Sequence, residues 1–210
     1  MKFPQLITLP QRAIRRLFFR GWWRYYSPDI WEKMWAGGFD LNHIIEDGRY
    51  GVLLALMRRY EQRGPILDAG CGDGLFEQMF RPFSNVRLVG IDYAPLAIEK
   101  ARGRKLANCE FFCQDYREFR PEERYSVILL NESLYYIKDY RDILKSLSGH
   151  LADDGVFIVS MWDKPVPASI WKALKKDFVI LQGIFLRDEA SGVGWWIRVL
   201  QPRTRIASPP

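Results

Sequence analysis

Three observations predict an α/β fold: a seven-stranded, mostly parallel sheet with helices on both faces, ending in an antiparallel hairpin. From about Gly64 onward, short β-rich runs alternate with helical stretches, the rhythm of βαβ units. The first of these runs passes directly into a glycine-rich turn, Gly70-Cys71-Gly72-Asp73-Gly74, and then into a helical stretch. The last two runs follow one another without room for a crossover helix, which leaves a hairpin as their connection.

In chain order, the helical stretch Leu41 to Glu61 precedes the sheet. Apolar β-rich runs place strands at Pro65 to Ala69, Val86 to Ile91, Glu110 to Cys113, Tyr125 to Leu130 and Val156 to Met161, with Phe178 to Leu186 and Trp195 to Leu200 as the closing pair. Between them, helical spacing selects Leu75 to Phe80, Pro95 to Arg102, Tyr140 to Leu151 and Ser169 to Lys176. The hairpin turn falls at Asp188 to Gly194, where Ser191, Gly192 and Gly194 are turn formers. There is no internal repeat. The division that follows is a basic, aromatic helical segment over 1–40, one α/β domain over 41–202 and a flexible tail over 203–210.

A chain of 210 residues buries one sizeable core without covalent staples. Its 48% hydrophobic and 27% charged residues exclude a disordered polymer. Cys71, Cys109 and Cys113 cannot all pair within the chain and match no zinc spacing, so the expected compartment is the reducing cytoplasm and no metal is expected. No apolar run approaches the roughly 18 residues of a membrane span. The net charge of +6 resides in residues 1–28, which carry Lys2, Arg12, Arg15, Arg16, Arg20 and Arg24 and no acid. The rest of the chain is balanced, which argues against a nucleic-acid partner.

The chemistry is concentrated at the ends of the strands. Ile66-Leu67-Asp68-Ala69-Gly70-Cys71-Gly72-Asp73-Gly74 is a strand, a turn that approaches a ligand closely, and a helix start with free N–H donors. Dinucleotide enzymes place G-x-G-x-x-G here, but in this chain Leu75 occupies the place of the third glycine and the spacing is G-x-G-x-G. The next strand ends Gly90-Ile91-Asp92-Tyr93, and a carboxylate at that point, beside the glycine turn, suits two ribose hydroxyls. Glu110-Phe111-Phe112-Cys113-Gln114-Asp115-Tyr116 repeats the pattern of a strand followed by an acid.

The D-x-G-x-G-x-G run and the ordered acids from Asp68 to Asp115 resemble the class I S-adenosylmethionine-dependent methyltransferases, which have a Rossmann-like sheet, over roughly Gly64 to Asp163. The run Asn131-Glu132-Ser133-Leu134-Tyr135-Tyr136 is similar to small-molecule members of the nodulation N-methyltransferase type. The resemblance implies S-adenosyl-L-methionine as cofactor. It puts Asp68 near the methionine amino group, Gly70, Cys71 and Gly72 beneath the cofactor, Asp92 on the ribose, Tyr93 against the adenine, Asp115 at the adenine amino group and Tyr116 stacked beside it. It also implies Arg49, within Asp47-Gly48-Arg49-Tyr50-Gly51, as a partner of the methionine carboxylate, and Asn131 and Glu132 as the lining of the transfer centre. Tyr135 or Tyr136 would then face the acceptor. For each of these residues an ordinary packing, capping or solvated role stays open beside the functional one.

Methyl transfer from a sulfonium is mainly a matter of in-line alignment of an acceptor O or N in a water-poor pocket. A base is needed only for a weakly acidic hydroxyl or a protonated amine, with Glu132 the first candidate and His43 the second. His150 falls near a helix C-terminus, where the dipole alone accounts for it. The expected acceptor is a small molecule or a saccharide or lipid-linked precursor. Arg12, Arg16, Arg20 and Arg24 stand four apart with Ile14, Leu17, Phe18 and Trp22 on another face. Residues 11–26 therefore either touch the inner face of a membrane or pack over the acceptor pocket. A NAD(P)-dependent oxidoreductase and a non-catalytic methyltransferase-like scaffold remain as alternatives.

Overall fold

A computed structural model describes residues 28–38, 44–61 and 64–205. Its center is a seven-stranded sheet in the order β3-β2-β1-β4-β5-β7-β6, with β1 Ile66–Ala69, β2 Leu88–Asp92, β3 Cys109–Cys113, β4 Tyr125–Asn131, β5 Leu151–Trp162, β6 Phe178–Arg187 and β7 Gly194–Pro202. β1 to β5 are mutually parallel, and β7 runs antiparallel to both β5 and β6. The helices are α1 Pro28–Ala36, α2 Ile44–Tyr60, α3 Leu75–Phe80, α4 Pro95–Gly103, α5 Tyr140–Ser148 and α6 Pro165–Leu174.

β1 and β4 are covered on both faces, so they read as apolar runs without alternation. One face packs Leu67, Ile128, Leu130, Phe157 and Val159 under Ile143, Leu144 and Leu147 of α5 and Ile170, Trp171 and Leu174 of α6. The other packs Ile66, Val127, Leu129 and Ile158 under Leu53 and Met57 of α2 and Phe76 and Phe80 of α3. Each such side chain removed from water contributes about 1.5–3 kcal/mol. α4 closes the β2–β3 end through Ile98 and Ala101, which meet Cys71 and Phe111. The hairpin forms where the glycines place it. The Asp188 N–H donates to the Val193 carbonyl at 2.8 Å, and Gly192 turns with φ +67°.

Three element ends depart clearly from the sequence reading. α5 stops at Ser148 and β5 begins at Leu151, because Leu151 pairs with Tyr125 across a register shift at the start of β4. The site accepts only glycine at 155, where a Cβ would stand 2.8 Å from the Tyr125 carbonyl oxygen. α6 begins at Pro165, four residues before the expected Ser169. Pro165 and Pro167 fall in the first turn, where a missing N–H costs nothing and the fixed φ suits the helix.

α1 lies on α4. Glu32 accepts the Leu96 N–H at 3.2 Å, Lys100 donates to the Trp35 carbonyl at 3.2 Å, and Trp35 packs on Ala94 and Ala97. Residues 11–26 and His43 lie outside the described residues. At the far end, Arg203–Arg205 form a short 3-10 turn, and the Arg203 N–H donates to the Asp177 carbonyl at 3.0 Å. No helix among the described residues is long and apolar enough to cross a membrane.

Candidate active site

The strand order reverses at β1, which pairs with β2 on one side and β4 on the other. The connections that leave these strands diverge and open a crevice at their carboxyl ends. A cavity lies there, lined by the β1–α3 turn, the ends of β2 and β4, and residues of α1, α2, β5 and β7.

Its floor is the glycine turn. Gly70 has φ +95° and Gly72 φ +56°, and the Gly70 and Cys71 N–H groups donate to the Ile91 carbonyl at 2.8 and 3.1 Å. A Cβ on Gly70 would stand 2.6 Å from Ser133 Cβ and 2.9 Å from the Tyr116 hydroxyl. Only a bare backbone therefore passes between Ser133 and Tyr116 beneath the cavity. Burial, opposed only by a backbone hydrogen bond, pushes the Cys71 thiol well above its ordinary range, so it is a neutral small side chain here.

Asp92 ties that turn to β2. Its Oδ2 accepts the Gly72 N–H at 3.1 Å and its Oδ1 the Ala94 N–H at 2.9 Å. Burial raises the carboxyl above its usual range, and these amides oppose the shift. A carboxylate braced in this way, with lone pairs remaining toward the cavity, is built to accept from a pair of adjacent hydroxyls. Tyr93 and Tyr116 both line the cavity and meet edge to face at 6.4 Å between ring centroids.

Asp115 is held in a local ion pair. Its carboxylate accepts from the Arg117 backbone N–H at 2.8 Å and from the Arg117 guanidinium at 2.9 Å, and Asp115 does not line the cavity. The same guanidinium reaches Asp139 at 2.7 Å, so this acid serves a local ion-pair cluster.

The opposite half is a polar network. Arg49, 2% exposed on α2, donates to Glu46 and to Asn131 Oδ1, with Ser160 Oγ 3.4 Å away. Burial works against its charge, and the Glu132 and Glu46 carboxylates more than offset this. The Ser160 hydroxyl accepts the Glu132 N–H at 3.2 Å and can give its one proton either to Asn131 Oδ1 at 2.9 Å or to Glu132 Oε1 at 3.0 Å. Tyr135 donates to Glu132 Oε2 at 2.7 Å.

Burial raises the Glu132 carboxyl, with Arg49, Tyr135 and Ser160 opposing. Burial and the Glu132 charge lift the Tyr135 phenol well above its range, so it stays a donor. Glu132 adopts φ +55°, a left-handed conformation that costs a non-glycine residue on the order of 1–2 kcal/mol. Strain of this kind is held in place by the surrounding hydrogen bonds and gathers at working sites.

Sequence reasoning missed the aromatic wall. Trp31 and Trp35 reach the cavity from α1, Trp162 from β5 and Trp195 from β7. Trp31 meets Tyr136 edge-on at 5.0 Å, and Tyr136 lies 4.4 Å from Tyr135. The four-residue spacing of Trp31 and Trp35 was a readable signal for one helix face, whereas the inward turn of Trp162 and Trp195 depends on the β5–β7 register. His150 also departs from the dipole account. It follows α5, and burial together with Arg120 and Arg124 lowers its pKa.

Known proteins share the sequence pattern and the fold of this chain. Malonyl-[acyl-carrier protein] O-methyltransferase of Bacillus anthracis is 32% identical over 115 residues, 53% of this chain and 43% of that protein. Trans-aconitate 2-methyltransferase of Yersinia pestis is 36% identical over 99 residues, 47% of this chain and 38% of that protein. The chain thus spans less than half the length of these curated relatives. In fold, the N-methyltransferase NodS from Bradyrhizobium japonicum WM9, solved in complex with S-adenosyl-L-homocysteine, superposes over 91% of this chain and 97% of its own with a TM-score of 0.63 at 18% identity. A SAM-dependent methyltransferase from Geobacter sulfurreducens gives 0.63 at 14% identity, over 81% of this chain and 97% of its own. The methyltransferase domain family matches residues 46–206, and the chain belongs to that family.

Proposed function

We propose that the chain is an S-adenosylmethionine-dependent methyltransferase that transfers a methyl group to an O or N atom of a small molecule. The observation that carries this reading is the Asp92 carboxylate, braced by the Gly72 and Ala94 amides at the mouth of a G-x-G-x-G turn. When bound, S-adenosylmethionine supplies an electrophilic sulfonium methyl, and the residues of this chain have to hold, orient and dry the reactants.

Asp92 accepts the ribose hydroxyls, Gly70 to Gly72 let the backbone approach closely, and Tyr93 and Tyr116 form the wall beside the adenine. Asp68 takes the amino end. Arg49 is already shared between Glu46 and Asn131, so its part is to hold that network together, and any contact with the methionine carboxylate is made from within it. Glu132 takes the proton of an acceptor that must lose one, and the Tyr135 hydroxyl orients that carboxylate. Trp31, Trp35, Tyr136 and Trp162 exclude water.

The acceptor half opposes two carboxylates, Glu46 and Glu132, with the Arg49 guanidinium, while Arg117 is paired with Asp115 and Asp139. An uncharged or cationic acceptor fits this balance better than the malonyl and aconitate acceptors named for the relatives. We place this domain at 41–202, with 1–40 as its N-terminal extension. We read its place of action as the cytoplasm, with residues 11–26 as the element that would touch an inner membrane surface carrying a lipid-linked acceptor.

The test is thermal unfolding of the chain with S-adenosylhomocysteine, with NAD and with buffer alone. Ligand at about 100 times its Kd adds about 2.7 kcal/mol, several degrees for a domain of this size. A shift with the adenosyl ligand only is the expected result; none, or one with NAD instead, refutes the reading.

A further inference from the structure

Asp68 on β1 and Glu77 on α3 are fully enclosed, at 1% and 0% exposure, and their carboxyl groups lie within hydrogen-bonding reach of each other. Asp68 Oδ1 and both Glu77 carboxyl oxygens find no donor among the described residues. The neighboring cations are engaged elsewhere. Arg104 is bound to Asp73 and Gln78, Arg81 to the Ser84 and Val86 carbonyls and to Cys109, and Arg49 to Glu46 and Asn131. The other groups that face the pair are Asp92, Asp73, Cys71, Cys109, Tyr50 and Tyr116, which are acids or neutral at ordinary pH. Two adjacent buried carboxyls without a compensating cation cannot both be ionised, and they can bond to each other only if one keeps its proton. Asp68 lines the cavity and Glu77 does not.

We propose that Asp68 and Glu77 form a proton-holding pair beneath the cavity, and that a cationic ligand group arriving at Asp68 expels the shared proton, so that cofactor binding is coupled to proton release. This rests on the reading that the cavity takes S-adenosylmethionine, whose methionine end carries an ammonium group. The balance is simple: the shared proton leaves to solvent, and the ammonium supplies the charge that both carboxylates then face. Glu77 is a positioning residue that acts through Asp68.

Calorimetric titration of the chain with S-adenosylhomocysteine, in buffers of different ionisation enthalpy between about pH 6 and 8, tests the coupling. The release should approach one proton per ligand, with affinity rising by up to about tenfold per pH unit. In Glu77→Gln the carboxamide donates to an ionised Asp68, so proton release and the pH slope disappear, while affinity at the acid end equals or exceeds that of the parent. Infrared difference spectra of the parent protein should show a carboxylic-acid C=O band lost on ligand addition, a readout that does not depend on the variant folding. Ligand binding with no proton release and a flat affinity profile overturns the proposal, as does a Glu77→Gln variant that keeps the parent slope. Absence of binding at every pH overturns the cofactor reading itself, and the coupling falls with it.

Discussion

Gly70→Ala is the most direct probe of the cavity floor. The substitution places a Cβ at φ +95°, where a non-glycine residue costs on the order of 1–2 kcal/mol. The new methyl meets Ser133 Cβ at 2.6 Å and the Tyr116 hydroxyl at 2.9 Å. Neither neighbor yields easily, because the Ser133 hydroxyl is bound to the Ala69 carbonyl at 2.9 Å and Tyr116 is buried. Overpacking of this kind adds about 1–3 kcal/mol, for a total of about 2–5 kcal/mol. At roughly 2–4 °C per kcal/mol for a domain of this size, Tm should fall by about 4–20 °C. Gly51→Ala is the internal control. A Cβ there meets nothing within 4 Å on a helix of ordinary handedness, so it should gain about 0.5–1 kcal/mol. Differential scanning calorimetry of both variants, with S-adenosylhomocysteine titrations of each, decides the matter. A Gly70→Ala protein with parental Tm and ligand affinity would refute the steric account of the turn.

Four further outcomes are expected. Asp92→Ala should lower S-adenosylhomocysteine affinity by more than about tenfold, the scale of a lost charge-assisted hydrogen bond, whereas Glu132→Ala should leave it within a few-fold; equal affinities by calorimetry would dissolve the division between the two halves of the cavity. Burial raises both carboxyls of the Asp68–Glu77 pair; the Glu77 charge adds to the rise at Asp68, while Glu77, held back by its bond to Asp68, still reaches about 7. Their contribution to stability is therefore full at acid pH and is lost as pH rises through that value, at no more than about 1.4 kcal/mol per pH unit; ligand-free unfolding that is flat there would contradict this. Arg198 stacks on Trp171 at 4.4 Å and Trp196 at 4.7 Å with Nη1 buried and unpaired, so Arg198→Met should change unfolding free energy by no more than about 2 kcal/mol in denaturant titration, or raise it. The intact chain should co-sediment with anionic vesicles and lose this on deletion of residues 1–24; an intact chain left in the supernatant ends the membrane reading.

The sheet was readable because its signals are local. Each central strand carries its own apolar run, and both Gly70 and Asp92 stand where a strand ends. The hairpin followed from spacing alone, since seven residues from Asp188 to Gly194 hold no crossover helix. Two boundaries resisted for tertiary reasons. The early start of β5 depends on Tyr125, which pairs with Leu151, and the early start of α6 depends on prolines whose meaning changes with their place in the turn.

What the sequence by itself determined is the α/β order, the glycine turn and the acids at strand ends, because strand and helix periods and backbone freedom are properties of neighboring residues. What only the tertiary structure decided is where the polar side chains spend their bonds. Asp115 is taken by Arg117, which also holds Asp139, Arg49 is divided between Glu46 and an Asn131 that is 82 residues away, and Glu77 meets Asp68 with no cation between them. Trp31, Trp162 and Trp195 come from three distant segments and converge on one cavity. A contact as long as that of Arg49 with Asn131 is set by strand order and register, and no short window of sequence contains both partners.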